Sequence, residues 1–170
     1  MTDQKRINLI EILVVVAVIG LIGTLAAVAV SSARANSRDA VRLSNVRQMQ
    51  SALEDFFVAR NAYPASTEVV ALGFGSAGCL TTTGFQTGCD PTTEGVLVRA
   101  VPPAISTGLS GLSSCGGAAN AYCYFPVGQD SSYVIQFELE HAISLAKLNK
   151  GLNCATPEGM IAGPCSIANE

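Results

Sequence analysis

The strongest constraint in this sequence is a long apolar run near its start. From Ile7 to Val30 the only polar residues are Asn8, Glu11 and Thr24. At about 1.5 Å per residue this run makes a helix of about 36 Å, enough to cross a hydrocarbon layer of about 30 Å. The run therefore predicts a transmembrane helix, and the roughly 140 residues that follow suffice for one globular head.

A cleaved secretory signal is the alternative interpretation of this run. Lys5 and Arg6 form a small basic segment before it, and Ala33-Arg34-Ala35 has the small-residue pattern of a cleavage site. The apolar region of a signal peptide is usually about 7 to 15 residues long, and a carboxylate within it is unusual. A membrane anchor is therefore the preferred interpretation.

The stretch 31–62 continues the helix beyond the membrane. It contains neither proline nor glycine, and its apolar residues recur mostly three or four apart. They are Val41, Leu43, Val46, Met49, Leu53, Phe56 and Phe57. We expect polar side chains on the other faces, namely Arg34, Arg38, Arg42, Asn45, Gln48, Asp55 and Arg60. Pro64 disfavours helix at the preceding residue, so one helix of about 80 Å is predicted from about Ile7 to about Asn61.

The plan of the chain resembles a known superfamily. A long N-terminal helix, apolar and then amphipathic, ends in Tyr63-Pro64 before a glycine-rich head that contains cysteines. Leu9–Gly20, with the sequence LIEILVVVAVIG, is similar to the Leu-Ile-Glu-Leu start of type IV pilins and type II secretion pseudopilins. The resemblance is close as far as Pro64 and covers the rest as a general plan.

The resemblance implies how the N-terminus is processed. In that superfamily a prepilin peptidase removes a short basic leader after a glycine, the new amino group is methylated, and the fifth mature residue is a glutamate. Placing Glu11 there makes residues 1–6 the leader and Ile7 the methylated N-terminus. Arg6 stands where the family has glycine, which leaves three outcomes open. Either the peptidase tolerates Arg6, or the chain stays unprocessed in the membrane, or the sequence is altered at this point.

The resemblance also implies a role for Glu11 in assembly. A positive amine at Ile7 and a carboxylate attract each other strongly in a low-dielectric layer. Glu11 is therefore expected to pair with the amine of a neighbouring subunit and to set the axial register of the helices. The alternative is an anchor glutamate paired with Lys5 or Arg6 of its own chain.

Two glycines lie within the apolar run. Gly20 and Gly23 are expected either to let the helix unwind locally inside a filament or to permit close helix packing. Val28 stands where many relatives have a helix-weakening proline.

The head is predicted to complete an α+β, pilin-like fold, with a small antiparallel sheet on the amphipathic half of the helix. Strands are indicated at 95–98, 121–127 and 132–140. In the last, one face would carry Tyr133, Ile135, Phe137 and Leu139, and the other Val134, Gln136, Glu138 and Glu140. Residues 142–149 fit either a helical turn or a strand. The Ser-, Thr- and Gly-rich stretches 65–94 and 104–120 are predicted loops.

All six cysteines lie in the head: Cys79, Cys89, Cys115, Cys123, Cys154 and Cys165. An even number in an exported chain predicts disulfides, although six cysteines allow 15 pairings. We expect consecutive cysteines to pair, each bond closing a loop of about ten residues and contributing about 2 to 4 kcal/mol. Cys154 and Cys165 resemble the C-terminal disulfide loop of many pilins.

Enzymatic, metal-binding and nucleic-acid-binding roles have little support. The net charge is −3, and the arginines are spread along the helix, so no sequence-specific nucleic-acid binding is predicted. Ser144-Leu145-Ala146-Lys147 matches S-x-x-K, but no K-T-G follows. His141 is the only histidine and no C-x-x-C is present. The acids Asp90, Glu94, Asp130 and Glu158 lack calcium-loop spacing. We predict no catalytic activity, metal or cofactor.

The sequence therefore predicts four segments with one structural role. They are a leader (1–6), a transmembrane and filament-core half-helix (7–30), an amphipathic half-helix (31–62) and a disulfide-containing head (63–170). The expected function is a subunit of a homo-oligomeric, helical, type IV pilus-like filament for adhesion, motility or DNA uptake. Lipid of the cytoplasmic membrane would hold the subunit until a prepilin peptidase and an inner-membrane assembly platform bring it into an extracellular filament. The alternatives are a type II secretion pseudopilin and a signal-anchored surface protein that does not polymerise.

Overall fold

The computed structural model describes residues 9–166 of the chain. Its first element is one unbroken α-helix, α1 (Leu9–Arg60), of 52 residues. Residues 9–34 are all exposed, whereas the helix has a buried stripe from Ala35 onward. The stripe consists of Ala35, Asp39, Arg42, Leu43, Val46, Met49, Ala52, Leu53 and Phe56. The predicted long helix is confirmed over the described residues, and its second half packs on the head.

The end of α1 follows from two local features. Asn61 takes the left-handed conformation, with φ of 56°, and its N–H donates to the carbonyl of Phe57 at 2.6 Å. Asparagine tolerates this conformation better than most residues, and the hydrogen bond satisfies a carbonyl that the helix leaves without a partner. Pro64 then prevents the helix from resuming. The N–H of Tyr63 donates instead to the carbonyl of Asp130 at 2.8 Å, which begins the head.

The head consists of short antiparallel strands. They are β1 (Val70–Leu72), β2 (Cys79–Thr81), β3 (Gly84–Gln86), β4 (Val96–Val98), β5 (Ser114–Cys115), β6 (Ala118–Ala119), β7 (Tyr122–Val127), β8 (Ser132–Leu139), β9 (Gly151–Thr156) and β10 (Gly159–Ala162). The main sheet has the order β1-β7-β8-β9-β10, and all its pairings are antiparallel. β3, β2 and β4 form a second sheet, and β5 pairs with β6. The chain is thus α+β, as predicted.

The core lies between α1 and one face of the main sheet. The alternation predicted for β8 is confirmed, because Tyr133, Ile135, Phe137 and Leu139 join the helix stripe in one buried cluster. Full burial of one such side chain stabilises the fold by about 1.5 to 3 kcal/mol. The other face of β8, which carries Val134 and Glu138 and continues to Glu140, is also largely buried, and backbone groups of the head compensate the burial of Glu138. Its carboxylate accepts the N–H groups of Ser110 and Leu112 at 2.7 and 2.9 Å, so the loop before β5 covers it.

Several of the predicted loops are short strands. The strands indicated at 95–98, 121–127 and 132–140 correspond to β4, β7 and β8. Residues 142–149 contain a 3₁₀ turn, Ser144–Ala146, between the bridged pair Ile143 and Leu148. The stretch 65–94, predicted as loop, holds β1, β2 and β3, and 104–120 holds β5 and β6. β9 and β10 were not predicted either. Most of these strands have two to four residues, which show too little alternation to be distinguished from turns. β9 has six residues, but it begins with Gly151 and contains Asn153, and both residue types are depleted in strands.

Three disulfides join consecutive cysteines, in the expected order. The Cα–Cα distances are 5.8 Å for Cys79–Cys89, 5.9 Å for Cys115–Cys123 and 5.0 Å for Cys154–Cys165. The first ties β2 to the loop after β3. The second ties β5 to β7, and the third ties β9 to the chain beyond β10. Each bond therefore holds a loop-rich segment to a strand of the sheets.

Candidate functional site

The first half of α1 is an exposed apolar surface of membrane length. An 18-residue window within α1 has a mean hydropathy of 2.9, and none of it is buried. One such helix near the N-terminus is long and apolar enough to span a membrane. Exposed apolar surface of this extent marks a site of membrane or protein contact. We call residues 9–34 of α1 the apolar half-helix.

Glu11 is the one charged residue of the apolar half-helix before Arg34. It lies in the first turn of the described helix and is exposed, between Ile10 and Ile12. Within residues 9–166 its carboxylate forms no ion pair. Arg6 and Ile7, where leader cleavage and methylation are predicted, lie outside the described residues. The predicted pairing of Glu11 with an amine of another subunit therefore stays a prediction.

Gly20 and Gly23 lie in unbroken helix. A Cβ added at either position would have no heavy atom within 4 Å, so neither glycine is needed for packing within this chain. The nearby hydroxyls are satisfied locally. Thr24 Oγ1 donates to the carbonyl of Leu21 at 2.8 Å, and Ser31 Oγ donates to the carbonyl of Val28 at 2.9 Å. These two hydroxyls therefore need no partner from another molecule when this part of the helix is buried in lipid or among other helices.

A buried ionic cluster joins the helix to the head directly beyond the apolar half-helix. We call Arg38, Asp39, Arg42 and Glu140 the junction cluster. Arg42 is 0% exposed. Its Nη1 donates to Asp39 Oδ1 and to Glu140 Oε1, each at 2.7 Å. Its Nε and Nη2 donate to the carbonyl of Ile105 at 3.0 and 2.6 Å. The expectation that Arg42 lies on the solvated face of the helix is wrong, because Glu140 and the Ile105 carbonyl of the head, together with Asp39 of the same helix, compensate its burial.

The other members of the junction cluster complete its hydrogen bonds. Arg38 binds Glu140 in a two-pronged pair, with Nε–Oε1 at 2.7 Å and Nη2–Oε2 at 2.6 Å. This hydrogen bonding to Arg38, followed by that to Arg42, lowers the pKa of Glu140 to about 2. The Asp39 carboxylate accepts the backbone N–H groups of Glu140 and His141, both at 2.9 Å. The cluster fixes the rotation of the head about the helix, because such fork-shaped pairs have a defined geometry.

The main sheet has a cavity on the face away from α1. Its volume is 360 Å³, and its walls include the Cys115–Cys123 disulfide, Cys165, Phe125 and Gln136. Glu68 is the one titratable group among the described lining residues. A single carboxylate without a base or a nucleophile beside it gives no arrangement for acid–base or covalent catalysis.

The residues considered for catalysis do not come together. His141 Nδ1 lies 3.7 Å from Asp39 Oδ2, with the ring half exposed. Ser144 and Lys147 are joined at the 3₁₀ turn by a backbone hydrogen bond, which the Lys147 N–H donates to the Ser144 carbonyl. The hydroxyls of Thr92 and Thr93 bond to Asp90 and lower the pKa of its carboxyl, the Thr92 hydroxyl most. Across residues 9–166, no three His, Cys, Asp or Glu side chains are arranged to hold a metal ion.

Comparison of the chain with protein-family models, with curated proteins and with solved structures found no match.

Proposed function

We propose that this chain is a structural subunit of an extracellular type IV pilus-like filament, in which the apolar half-helix forms part of the packed core. The observation that supports this most is the division of α1. One unbroken helix of 52 residues leaves its first half wholly exposed and apolar, while its second half is fixed into the head. The first half of such a helix lies in lipid before assembly and among the helices of other subunits after it.

The lone carboxylate of the apolar half-helix gives assembly a register. Apolar helices pack through van der Waals contact, which tolerates sliding along the axis. A charge in that layer is costly unless it has a partner. Glu11 therefore favours the axial position at which an amine of a neighbouring subunit lies beside it, and other positions leave the carboxylate without compensation.

The head suits a position outside the cell. Three disulfides hold its loop-rich segments, and disulfides persist in oxidising compartments. The junction cluster transmits the orientation of the helix to the head, so that a regular helical core displays the heads in a regular array. A structural role also agrees with the junction cluster, whose charged groups are buried or paired with one another.

Mass spectrometry of the N-terminal peptide tests the proposal. The material is protein sheared from the surface of cells, compared with the membrane fraction of the same cells. We expect an N-methylated peptide that begins at Ile7 in the sheared filaments. Intact Met1, confined to the membrane fraction, would overturn the filament proposal in favour of an anchored monomer. A processed chain that never leaves the envelope, with protein secretion lost on its deletion, would favour a type II secretion pseudopilin instead.

A further inference from the structure

The unbroken helix fixes the distance between the head and a bilayer. The apolar run ends at Val30, and the first residue of α1 that the head buries is Ala35. Five residues of helix correspond to about 7.5 Å. The headgroup layer extends about 5 to 8 Å beyond the hydrocarbon on each side of a bilayer. The end of the head nearest the membrane must therefore lie at the level of the headgroups.

That end of the head is formed by the loop between β8 and β9, residues 140–150. It faces the helix across a mostly apolar groove of 420 Å³, with Asn36, Ala40 and Leu43 on one side and residues 141–145 on the other. Leu145 lies in the 3₁₀ turn of this loop and is fully exposed. A fully exposed leucine beside an apolar groove leaves apolar area that the chain itself does not cover.

The exposed charge at this end of the head is positive. Arg34, Lys147 and Lys150 are exposed and Arg38 is partly exposed, whereas the neighbouring acids, Asp39 and Glu140, are buried and already paired with arginines. The whole chain has a net charge of −3. The positive charge at this end therefore opposes the charge of the molecule as a whole, and it is concentrated where the helix leaves the membrane.

We propose that this end of the head docks on an anionic lipid surface while the subunit is stored in the membrane, with Leu145 at the boundary of headgroups and acyl chains. The docking surface comprises Arg34, Arg38, Leu145, Lys147 and Lys150. The inference rests on the membrane storage included in the proposed function. An apolar tip flanked by lysines is the pattern of segments that lie in a membrane interface, and anionic headgroups attract each basic side chain. Two copies of this docking surface would repel each other because both are positive, and the experiment below separates contact with another face of a second copy from contact with lipid.

A single tryptophan can report this docking, because the chain has none. The Leu145→Trp variant of the full chain is reconstituted in vesicles of phosphatidylcholine, with or without phosphatidylglycerol. The acyl chains are brominated near the headgroup, so that they quench a tryptophan in contact with them. We expect about a twofold loss of emission from position 145 in the anionic vesicles, and less in the neutral ones, since the lysines favour anionic headgroups.

Two matched variants calibrate the measurement. Val58→Trp places the reporter on an exposed position of the same helix, about 42 Å beyond Val30, where no quenching is expected. Val28→Trp places it within the apolar half-helix, two residues from the headgroup end of the apolar run, where strong quenching is expected in both kinds of vesicle. Combining Leu145→Trp with Lys147→Gln should lower the ratio of docked to undocked heads about fivefold, and Lys150→Gln should act similarly.

The outcomes separate the docking from the membrane span. Strong quenching at position 28 with none at position 145 overturns the docking and leaves the span intact. Absence of quenching at both positions overturns the docking together with the membrane storage on which the filament proposal depends. A change in emission from position 145 that depends on protein concentration, and not on lipid charge, would show contact with a second copy instead and would overturn the lipid assignment.

Discussion

Arg42 and Glu140 are 98 residues apart in the sequence and 2.7 Å apart in the fold, from Nη1 to Oε1. The arginine is 0% exposed, and the glutamate directly follows the last residue of β8, where the main sheet approaches the helix. This pair connects the helix that would form the filament core with the head that would form its surface. A rotation of one relative to the other would leave both charges buried without partners.

Removal of Arg42 should therefore destabilise the head strongly. Arg42→Ala leaves Asp39 and Glu140 buried without their shared partner, and loss of one member of a buried ion pair costs about 3 to 5 kcal/mol. The measurement is guanidinium unfolding of the full chain in detergent, monitored by the near-ultraviolet circular dichroism of the tyrosines. Arg47→Ala is the matched control, because Arg47 is exposed on the same helix and forms no ion pair within the described residues. Equal losses from both variants would contradict a special role for the junction cluster.

The junction cluster should also make stability depend on acid pH. The arginines lower the pKa of Glu140 from an ordinary 4.5 to about 2 in the folded chain. A group whose pKa is lowered by folding contributes stability above its unfolded pKa and loses that contribution as pH falls through the folded value. We expect the unfolding midpoint to fall between about pH 4.5 and 2. Glu140→Gln should flatten this dependence. A parent chain with no slope in that window would contradict the assignment.

At alkaline pH the buried tyrosines should make the stability of the fold decrease as the pH rises. Burial, and then a hydrogen bond to Glu54, raise the pKa of Tyr63 to about 12, and burial also raises the pKa of Tyr122, Tyr124 and Tyr133. For a group that is neutral below its pKa and has that pKa raised by folding, stability is present below the unfolded value and is lost as pH rises through the folded one. The chain has four tyrosines, so none should ionise near pH 10 while it is folded. Tyrosinate absorbance against pH, with and without guanidinium, checks this, and ionisation near pH 10 in the folded sample would count against it.

The helix was predictable because its signals repeat many times. Apolar residues at Leu43, Val46, Met49, Leu53 and Phe56 sample one face over several turns, so a chance match is improbable. The same reasoning failed for Arg42, because periodicity separates polar from apolar residues and carries no information about a buried partner. One signal was present: Arg42 lies three residues from Asp39 and on the same stripe as Leu43 and Val46. The partner that makes its burial possible, Glu140, is distant in sequence.

The head was predictable chiefly at β7 and β8, whereas β9, which also has six residues, begins with glycine, contains asparagine and was missed. β7 and β8 have six and eight residues, which suffice to show alternation or a β-rich composition. β1 to β3 have three residues each and lie in a Gly- and Thr-rich stretch, so local propensity favours turns. Their pairing is instead fixed by distant partners, as when Ala71 pairs with Cys123. Long-range pairing of this kind leaves no trace in a local window of sequence.

The Cys154–Cys165 disulfide should stabilise the fold by about the free energy that its loop length implies. Cys154–Cys165 closes a loop with a sequence separation of 11, for which loop-closure entropy corresponds to about 3 kcal/mol. Cys154→Ala combined with Cys165→Ala should lower the free energy of unfolding by that amount and expose the β9–β10 hairpin to proteases. Ile161→Ala, a change at an exposed position of the same loop, should alter it by less than about 0.5 kcal/mol. A double variant as stable as the parent would show that the sheet alone orders this loop.

Glu11 should control assembly without controlling insertion. Glu11→Ala removes the only charge of the apolar half-helix before Arg34, which makes that half more apolar and leaves membrane insertion intact. It also removes the group that would distinguish one axial position of neighbouring helices from another, so filaments sheared from cells should be lost or strongly reduced. Glu11→Gln keeps the size and polarity but lacks the charge, and it should fail in the same way if attraction to an amine matters. Asp55→Ala is the matched control, since Asp55 is an exposed acid on the same helix beyond the apolar half-helix. Normal filaments from Glu11→Ala, at wild-type amounts of membrane protein, would refute the register role and leave Glu11 as an anchor residue.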